Sequence, residues 1–492
     1  MLSRDEILAA YAAGPEALAQ LVETIQDQMG QQIATLTARV AELEARLNKD
    51  SHNSSKPPSS DPAPDGGGRC GLSKKPARSR SLRRRSGKTS GGQPGHPGTN
   101  LKLLDHPTER HAWAPAACRG CGASLAQAEV VQRERRQTVD LPQPRLEIVE
   151  HEAQHKLCPG CQLVTAGEFP PAITQVIAYG PRLKAALVYL QSAQLLSQER
   201  AVETLGELHG IRPSEGTLNT AQAIAYNRLA SVEQAIRTGL RQQAVLTVDE
   251  SGMRVAGKLH WLHVAGSDQL TYYAHHVNRG LKAIQAIGLL MGYPGRRVHD
   301  ALAAYLKLPG DYALCNAHLL RELTALSEDT QQPWTASLIR LLVRMKAAVA
   351  EAREAGRMAL PARQQAGYEA AYTRLIQIGT QANPAAPLTG KRGRTKQTPA
   401  RNLLDRLRTH RKAVLAFLHD FAVPFDNNRA ERDLRMIKVK LKVSGCFRST
   451  AGADYFCRIR GYIATLRKQG YAVFEGLVSV FAGQPYMPRL EA

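Results

Sequence analysis

Four acidic residues, at three places in the chain, stand where it could use them for chemistry. Asp249 and Glu250 close the run AVLTVDES, residues 244–251, in which β-branched and aliphatic side chains stop at two carboxylates. Asp300 ends a second short apolar run within RRVHDALAAYL. Glu431 follows the polar cluster Asp426-Asn427-Asn428 in PFDNNRAERDLRMIKVKLKVSGCFRS. Runs of this length and composition are buried strands. A carboxylate at the end of one is held rigidly at the rim of a sheet, where metal ions or reacting groups can reach it. Asp249 and Glu250 are adjacent, so on a strand they face opposite ways and only one is expected to look into a given site. Taken alone, Asp249 could as well end its strand or open the turn at Ser251-Gly252.

A second set of residues has metal-ligand spacing. Cys118-Arg-Gly-Cys121 and Cys158-Pro-Gly-Cys161 are two Cys-x-x-Cys pairs, each turning on a glycine, with 36 residues between them. Four thiolates give a closed tetrahedral site for one structural Zn²⁺, with no catalytic role. Between the pairs, ERRQTVDL and RLEIVEHEAQHKL alternate like the strands of a ribbon. Cys70 has no paired neighbour. Cys315 and His318 fall near a strand–helix junction, where His318 could contact a phosphate or serve the fold. Two further ligands for a second zinc site are not evident in the sequence nearby.

The elements that must position these groups can be read in chain order. Residues 16–47 form a helix whose apolar positions, Leu18, Val22, Ile25, Met29, Ile33, Leu36, Val40, Leu43 and Leu47, make a narrow heptad seam. Such a seam on a polar helix needs a partner helix, from a second copy or from its own domain. SHNSSKPPSSD is extended linker. Residues 69–102 carry ten Lys/Arg and no acid, among them Arg83, Arg84, Arg85 and Lys88, and can neutralise phosphates without reading sequence. From Gly180 the period becomes helical. LKAALVYLQSAQLL, ERAVETLGELHG and IRPSEGTLNTAQAIAYNRLA read as three helices, the third capped by Ser214. The last two resemble a helix-turn-helix, although packed helices with no DNA contact share that pattern.

After AVLTVDES come two alternating runs, GKLHWLHVAGS and QLTYYAHHVNRG, then a helix over 281–291, then Asp300, then YALCNAHLLRELTAL. Three strands, a helix, a strand, a helix and a strand is the order of a ribonuclease-H-like fold, with ALAAYL as an unusually short last helix. That fold sets acids from its first and fourth strands side by side. Residues 325–415 are mostly helical. In the helix opened by Asp426-Asn427-Asn428, taken as a capping cluster, Glu431 lies where the dipole favours an anion. Arg429, Arg435, Lys438, Lys440 and Lys442 nearby could hold a phosphate chain while Glu431 holds a metal.

The chain has 65 Lys/Arg against 43 Asp/Glu, a net charge of +22, which favours a polyanionic partner such as DNA. No apolar run reaches membrane length and no signal peptide opens the chain, so a cytoplasmic, nucleoid-associated bacterial protein is expected.

SHNSSKPPSSD after a coiled coil, GGQPGHPG, the two Cys pairs, GPRLKAALVYLQ, TVDES, VHDALAAY, CNAHLLRE and above all FDNNRAERDLR together resemble the transposases of the insertion sequence 66 family. The family commonly has a Trp beside the Cys matching Cys315, and an Arg-Lys-Asn run after the Glu helix; this chain has neither. The resemblance implies a DDE transposase with Asp249, Asp300 and Glu431 as its acid triad, two Mg²⁺ ions, transposon ends and target DNA as partners, and any helper proteins encoded beside it. The implied protein is a multi-domain α/β (α+β) chain. Its parts are a coiled coil (1–50), a basic linker (51–104), a zinc ribbon (105–175), a helix-turn-helix-like domain (176–238), a ribonuclease-H-like core (239–324 and 416–470) interrupted by an α-helical insertion (325–415), and a tail (471–492). Two other classes share parts of this pattern. One is a non-catalytic zinc and helix-turn-helix DNA-binding regulator with a transposase-derived core; the other is a nuclease or resolvase of the same fold.

If the seam over 16–47 pairs two copies, deleting residues 1–50 leaves a smaller species by light scattering. An unchanged mass would assign association to another surface.

Overall fold

The computed structural model describes residues 4–47, 102–170, 173–387 and 395–490. The arginines at 83–85, Lys88, Cys70 and the motifs SHNSSKPPSSD and GGQPGHPG lie outside the described residues. The chain opens with helices α1 (Arg4–Ala13) and α2 (Pro15–Leu47). On α2 the seam residues Val22, Met29, Ile33, Leu36 and Val40 are exposed.

The chain divides into two compact units. The smaller includes both cysteine pairs. Each pair sits on the same turn. The N–H of Cys118 donates to Ala123 O (2.8 Å) and that of Gly122 to Cys118 O (2.9 Å); the N–H of Cys158 donates to Leu163 O (2.9 Å) and that of Gln162 to Cys158 O (2.9 Å). Gly122 and Gln162, at equivalent places, both take positive φ. Antiparallel strands β1 (His155–Leu157) and β2 (Val164–Ala166) flank the second turn. The longer ribbon expected between the pairs does not form. ERRQTVDL is not a strand, and of RLEIVEHEAQHKL only the last three residues are. The alternating side chains Val139, Leu141, Ile148 and Val149 are exposed, and strands that bury no apolar face are marginal in water.

The larger unit is built on a five-stranded sheet of order β5-β4-β3-β6-β7. It follows helices α3 (Pro181–Val188), α4 (Gln198–His209), α5 (Glu215–Arg228) and α6 (Ala230–Gln242). Strands β3 (Val245–Val255), β4 (Lys258–Gly266) and β5 (Thr271–His276) form the expected antiparallel meander. The chain then crosses through α7 (Leu281–Ile287) to β6 (Arg296–His299), and through the single turn α8 (Ala303–Leu306) to β7 (Tyr312–Leu314). Both later strands run parallel to β3.

Two helices differ from the sequence reading. The one expected over 281–291 stops at Ile287, because Gly288 turns left-handed (φ 75°) and its N–H closes on Ile284 O. LKAALVYLQSAQLL is not one α-helix: it changes at Tyr189–Ala193 to π pairing, with Gln194 N–H donating to Tyr189 O. Buried Arg460 donates to the Ser192 and Ala193 carbonyls there, so a side chain supplies bonds the α ladder would have made. Ser214 caps α5 as expected, accepting the Thr217 N–H (3.1 Å).

Strand alternation sends Leu246 and Val248 of β3 into a core shared with α5 and α6, while Met253 and Val255 pack on the opposite core. After β7 the chain runs through α9 (Asn316–Thr330), α10 (Pro333–Glu354), α11 (Ala362–Ala382), α12 (Pro399–Thr409), α13 (Arg411–Val414) and α14 (Ala416–His419). These helices share one core with β6 and β7, in which Leu338, Leu342, Leu404, Leu407 and Leu418 are buried. The chain then returns through α15 (Asn428–Ser444), α16 (Thr450–Lys468) and α17 (Val473–Phe481).

The return is stitched to the sheet by Asn427. Its residue is fully buried, its side-chain Nδ2 donates to Val248 O of β3 (2.9 Å), and its backbone N–H donates to Cys315 Sγ (3.1 Å). The Asn316 N–H donates to Phe425 O (3.0 Å) beside it. Asn427 is therefore not a side-chain cap, as the sequence suggested; Asp426 accepts the Asn428 N–H (3.2 Å) instead. Replacing Asn427 with Ala leaves a strand carbonyl buried without its donor. Unfolding titrations should then show a loss of about 1–3 kcal/mol. Wild-type stability in that variant would make the stitch dispensable.

Candidate active site

Strand β3 places Asp249 and Glu250 beside the end of β6, where Asp300 follows His299. One carboxylate oxygen from each of Asp249, Glu250 and Asp300 lies within 4.8 Å of the others. This corrects the expectation that only one of the two adjacent acids could serve a site. Glu250 lies opposite His263 of β4 and its side chain is wholly buried. It is held by Arg279, whose Nε donates at 2.9 Å, and by Tyr305 Oη, also at 2.9 Å. Arg279 in turn lies over the Trp261 ring, 4.9 Å from its centroid. Asp249 accepts the Glu250 N–H (2.8 Å) and has no cation paired with it among the described residues.

The charges set the chemistry. Burial pushes the Asp249 carboxyl up to about 8, helped by the anions of Glu250, Asp300 and Glu431. Burial and Asp300 also raise Glu250, while Arg279 and Tyr305 act the other way. Like carboxylates this close cannot all ionise without cations or protons between them. The group is all oxygen, the donor set that hard divalent ions take.

Glu431 stands at the start of α15, and its charge reaches Asp249. It does not join the first three acids within 4.8 Å. Its own close group is Cys315 and His318. His318 Nε2 and Arg321 Nη2 each lie 3.7 Å from a Glu431 carboxylate oxygen. The stitch at Asn427 brings the starts of α9 and α15 together and so sets Glu431 there.

On α15, Arg435, Lys438 and Lys442 are exposed, together with Arg432, which the sequence reading passed over. Arg429 is half-buried and paired with Asp268. Lys440, also in this basic run, is buried, with Nζ 4.4 Å from the Phe447 ring centroid, and cannot meet a phosphate. Arg279, Tyr305 and Arg321 were given no role by the sequence; Tyr305 and Arg321 lie within VHDALAAY and CNAHLLRE, and Arg279 lies in neither.

The two cysteine pairs hold their thiols in alike settings. The N–H groups of Cys121 and Gly120 lower the Cys118 thiol, and those of Cys161 and Gly160 lower the Cys158 thiol. The pairs are not gathered into one set: no three of the four sulfurs lie within 4.8 Å of one another.

A family model described as Transposase IS66 family matches residues 177–455, more than half of the chain. A second model, a family of unknown function (DUF6444), matches residues 12–102. No curated protein matches the chain. Among the described residues no helix is long and apolar enough to cross a membrane.

The raised Asp249 carboxyl has a consequence for stability. An unfolded Asp ionises near 3.8, so between that pH and about 8 the folded chain holds a proton that the unfolded chain releases. Stability is then full in acid and is lost as pH rises through the folded value. The melting temperature of metal-free protein should fall from about pH 5 to about pH 9, and Asp249→Asn should flatten that fall. Glu250 acts in the same direction, so some slope remains. A wild-type melting temperature independent of pH over this range would contradict the carboxylate cluster.

Proposed function

The chain belongs to the insertion sequence 66 transposase family, and from that premise we propose that it is a DDE-type transposase. It binds the ends of an insertion sequence, cuts DNA phosphodiesters and joins the freed 3′-OH ends to target DNA. The gathering of Asp249 and Asp300, with the charge of Glu431 felt at Asp249, carries this reading. The sheet order, three antiparallel strands followed by two parallel ones, supports a ribonuclease-H-like core. Helices α10–α14 between Asp300 and Glu431 support an α-helical insertion.

Asp249, Asp300 and Glu431 are the residues we assign to hold two Mg²⁺. When bound, such ions activate the attacking oxygen and stabilise the leaving one in an in-line displacement at phosphorus. The protein's own groups do the rest. Asp249 Oδ releases its proton when the site is charged, since at neutral pH its raised carboxyl holds one. Arg279 and Tyr305 fix Glu250 so that its charge stays beside Asp249. His318 and Arg321 hold the Glu431 carboxylate in place. The exposed row Arg432, Arg435, Lys438 and Lys442 offers phosphate contacts that position DNA without reading sequence. The basic segment 69–102 adds charge of the same kind.

The remaining assignments follow the same reading. The exposed seam of α2 supports pairing with a second copy, which would bring two active sites to two ends. The two alike cysteine turns support thiolate binding of a structural Zn²⁺, and one ion on Cys118, Cys121, Cys158 and Cys161 requires the two pairs, which are not gathered, to close on it.

Asp249→Asn removes a ligand's charge with little change in shape. Strand cleavage and joining in that variant should fall by more than the ~10–100-fold typical of losing a residue that only orients a ligand. Binding to end-containing DNA should persist. Cleavage near the wild-type rate would sink the mechanism, and a DNA-binding regulator with an inert core would replace it.

A further inference from the structure

Of the group formed by Cys315, His318 and Glu431, the reaction uses Glu431 and the His318 contact that holds it, and leaves Cys315 without a role. Cys315 follows β7 and caps α9, His318 lies in the first turn of α9, and Glu431 lies in the first turn of α15. One donor atom from each lies within 4.8 Å of the others. Cys315 stands at the start of α9 without a side-chain capping bond, as Cys118 and Cys158 each stand at the start of a turn. In all three places the residue three positions on is itself a metal ligand type: Cys121, Cys161 and His318. The Asn427 N–H, from across the fold, donates to Cys315 Sγ at 3.1 Å.

Two donor atoms in this group are left unsatisfied. His318 Nδ1 and Glu431 Oε1 are buried and have no hydrogen-bond partner. Such atoms cost free energy unless something meets them. Cys315 is 1 % exposed, while the His318 and Glu431 side chains keep 25 % and 22 % of their surface, so the group is reached from their side.

We propose that Cys315, His318 and Glu431 form a second metal site that takes a borderline divalent cation of the Zn²⁺ class. One sulfur, one imidazole nitrogen and one carboxylate oxygen suit Zn²⁺ and not Mg²⁺, and three protein ligands leave a position open to solvent. A cysteine binds such an ion as its thiolate, so binding displaces the Cys315 thiol proton. An ion there clips α9 to α15 and fixes Glu431 beside Asp249. The site does not depend on the transposase reading, although it shares Glu431 with it.

The test is a zinc count on the full-length purified chain. Wild-type protein, Cys315→Ser and His318→Ala are equilibrated with zinc chloride, dialysed into metal-free buffer and measured by mass spectrometry. Cys315→Ser and His318→Ala should each hold one zinc per chain fewer than wild type. Cobalt gives a second readout: the sulfur-to-cobalt charge-transfer absorption should drop by one thiolate's share in Cys315→Ser. Should Cys315→Ser fail to fold, His318→Ala, altered on the half-exposed side, decides the count. Wild-type stoichiometry in both ligand variants overturns the site. That outcome leaves the catalytic reading standing, because that reading fails through DNA cleavage by Asp249→Asn, which plays no part in the zinc count.

Discussion

One buried amide closes the larger unit. Between β7 and α15 the chain leaves the sheet, builds five further helices beyond α9 with a shared core, and must come back with Glu431 in register. Helix packing alone does not fix that register, because apolar contacts are non-directional. Asn427 supplies direction. Its Nδ2 finds a β3 carbonyl one residue before Asp249, and its N–H finds the sulfur of Cys315 at the head of α9. Both bonds lie in the interior, where an unmade partner costs more than a made bond gains. The helical excursion is therefore pinned at both ends, at Cys315–Asn316 and at Asn427, the latter one turn before Glu431.

The acids impose the opposite demand. Asp249, Glu250 and Asp300 repel one another in a half-buried setting, and the fold compensates them unequally. Glu250 has a guanidinium and a phenol; Asp249 has only a backbone N–H. The net result is a site whose fixed charge is balanced on one side and open on the other. An open, all-oxygen cluster attracts a hard cation or a proton, and the raised Asp249 carboxyl is the thermodynamic trace of that demand. Arg279 takes part twice, by neutralising Glu250 and by resting on Trp261, which removes from the guanidinium most of its freedom to reach Asp249.

The sequence disclosed what is local. The β-branched run of β3, the alternating β4 and β5, the short α8 and the Ser214 cap all follow from spacing within a dozen residues. It disclosed the acids themselves, because strand ends are visible as the end of an apolar run. It did not disclose what depends on distant partners. The π turn at Tyr189–Ala193 ends on carbonyls that Arg460, far along the chain, satisfies. Asn427 has the composition of a helix cap and works as a long-range clamp. Tyr305 and Arg279 look like ordinary core and loop residues until Glu250 is found between them. In the cysteine unit the alternation was real but had no apolar face to bury, so a pattern that elsewhere means a strand meant none there.

Glu431 is where these constraints meet. Its backbone is set by the Asn427 stitch, its charge adds to the burden on Asp249, and its carboxylate is engaged by His318 and Arg321. A residue pulled only toward the acids would add a fourth negative charge to a cluster that already holds protons back from release. Drawn instead toward a thiol, an imidazole and a guanidinium, it can lie near Asp249 at lower electrostatic cost. The softer group at the start of α9 is thus the counterweight that lets a further carboxylate stay beside the acidic pair. The order of elements explains why one short junction carries both groups: β7 ends at Cys315 and α15 begins at Asn427, and the bond between those two residues puts their neighbours, His318 and Glu431, face to face.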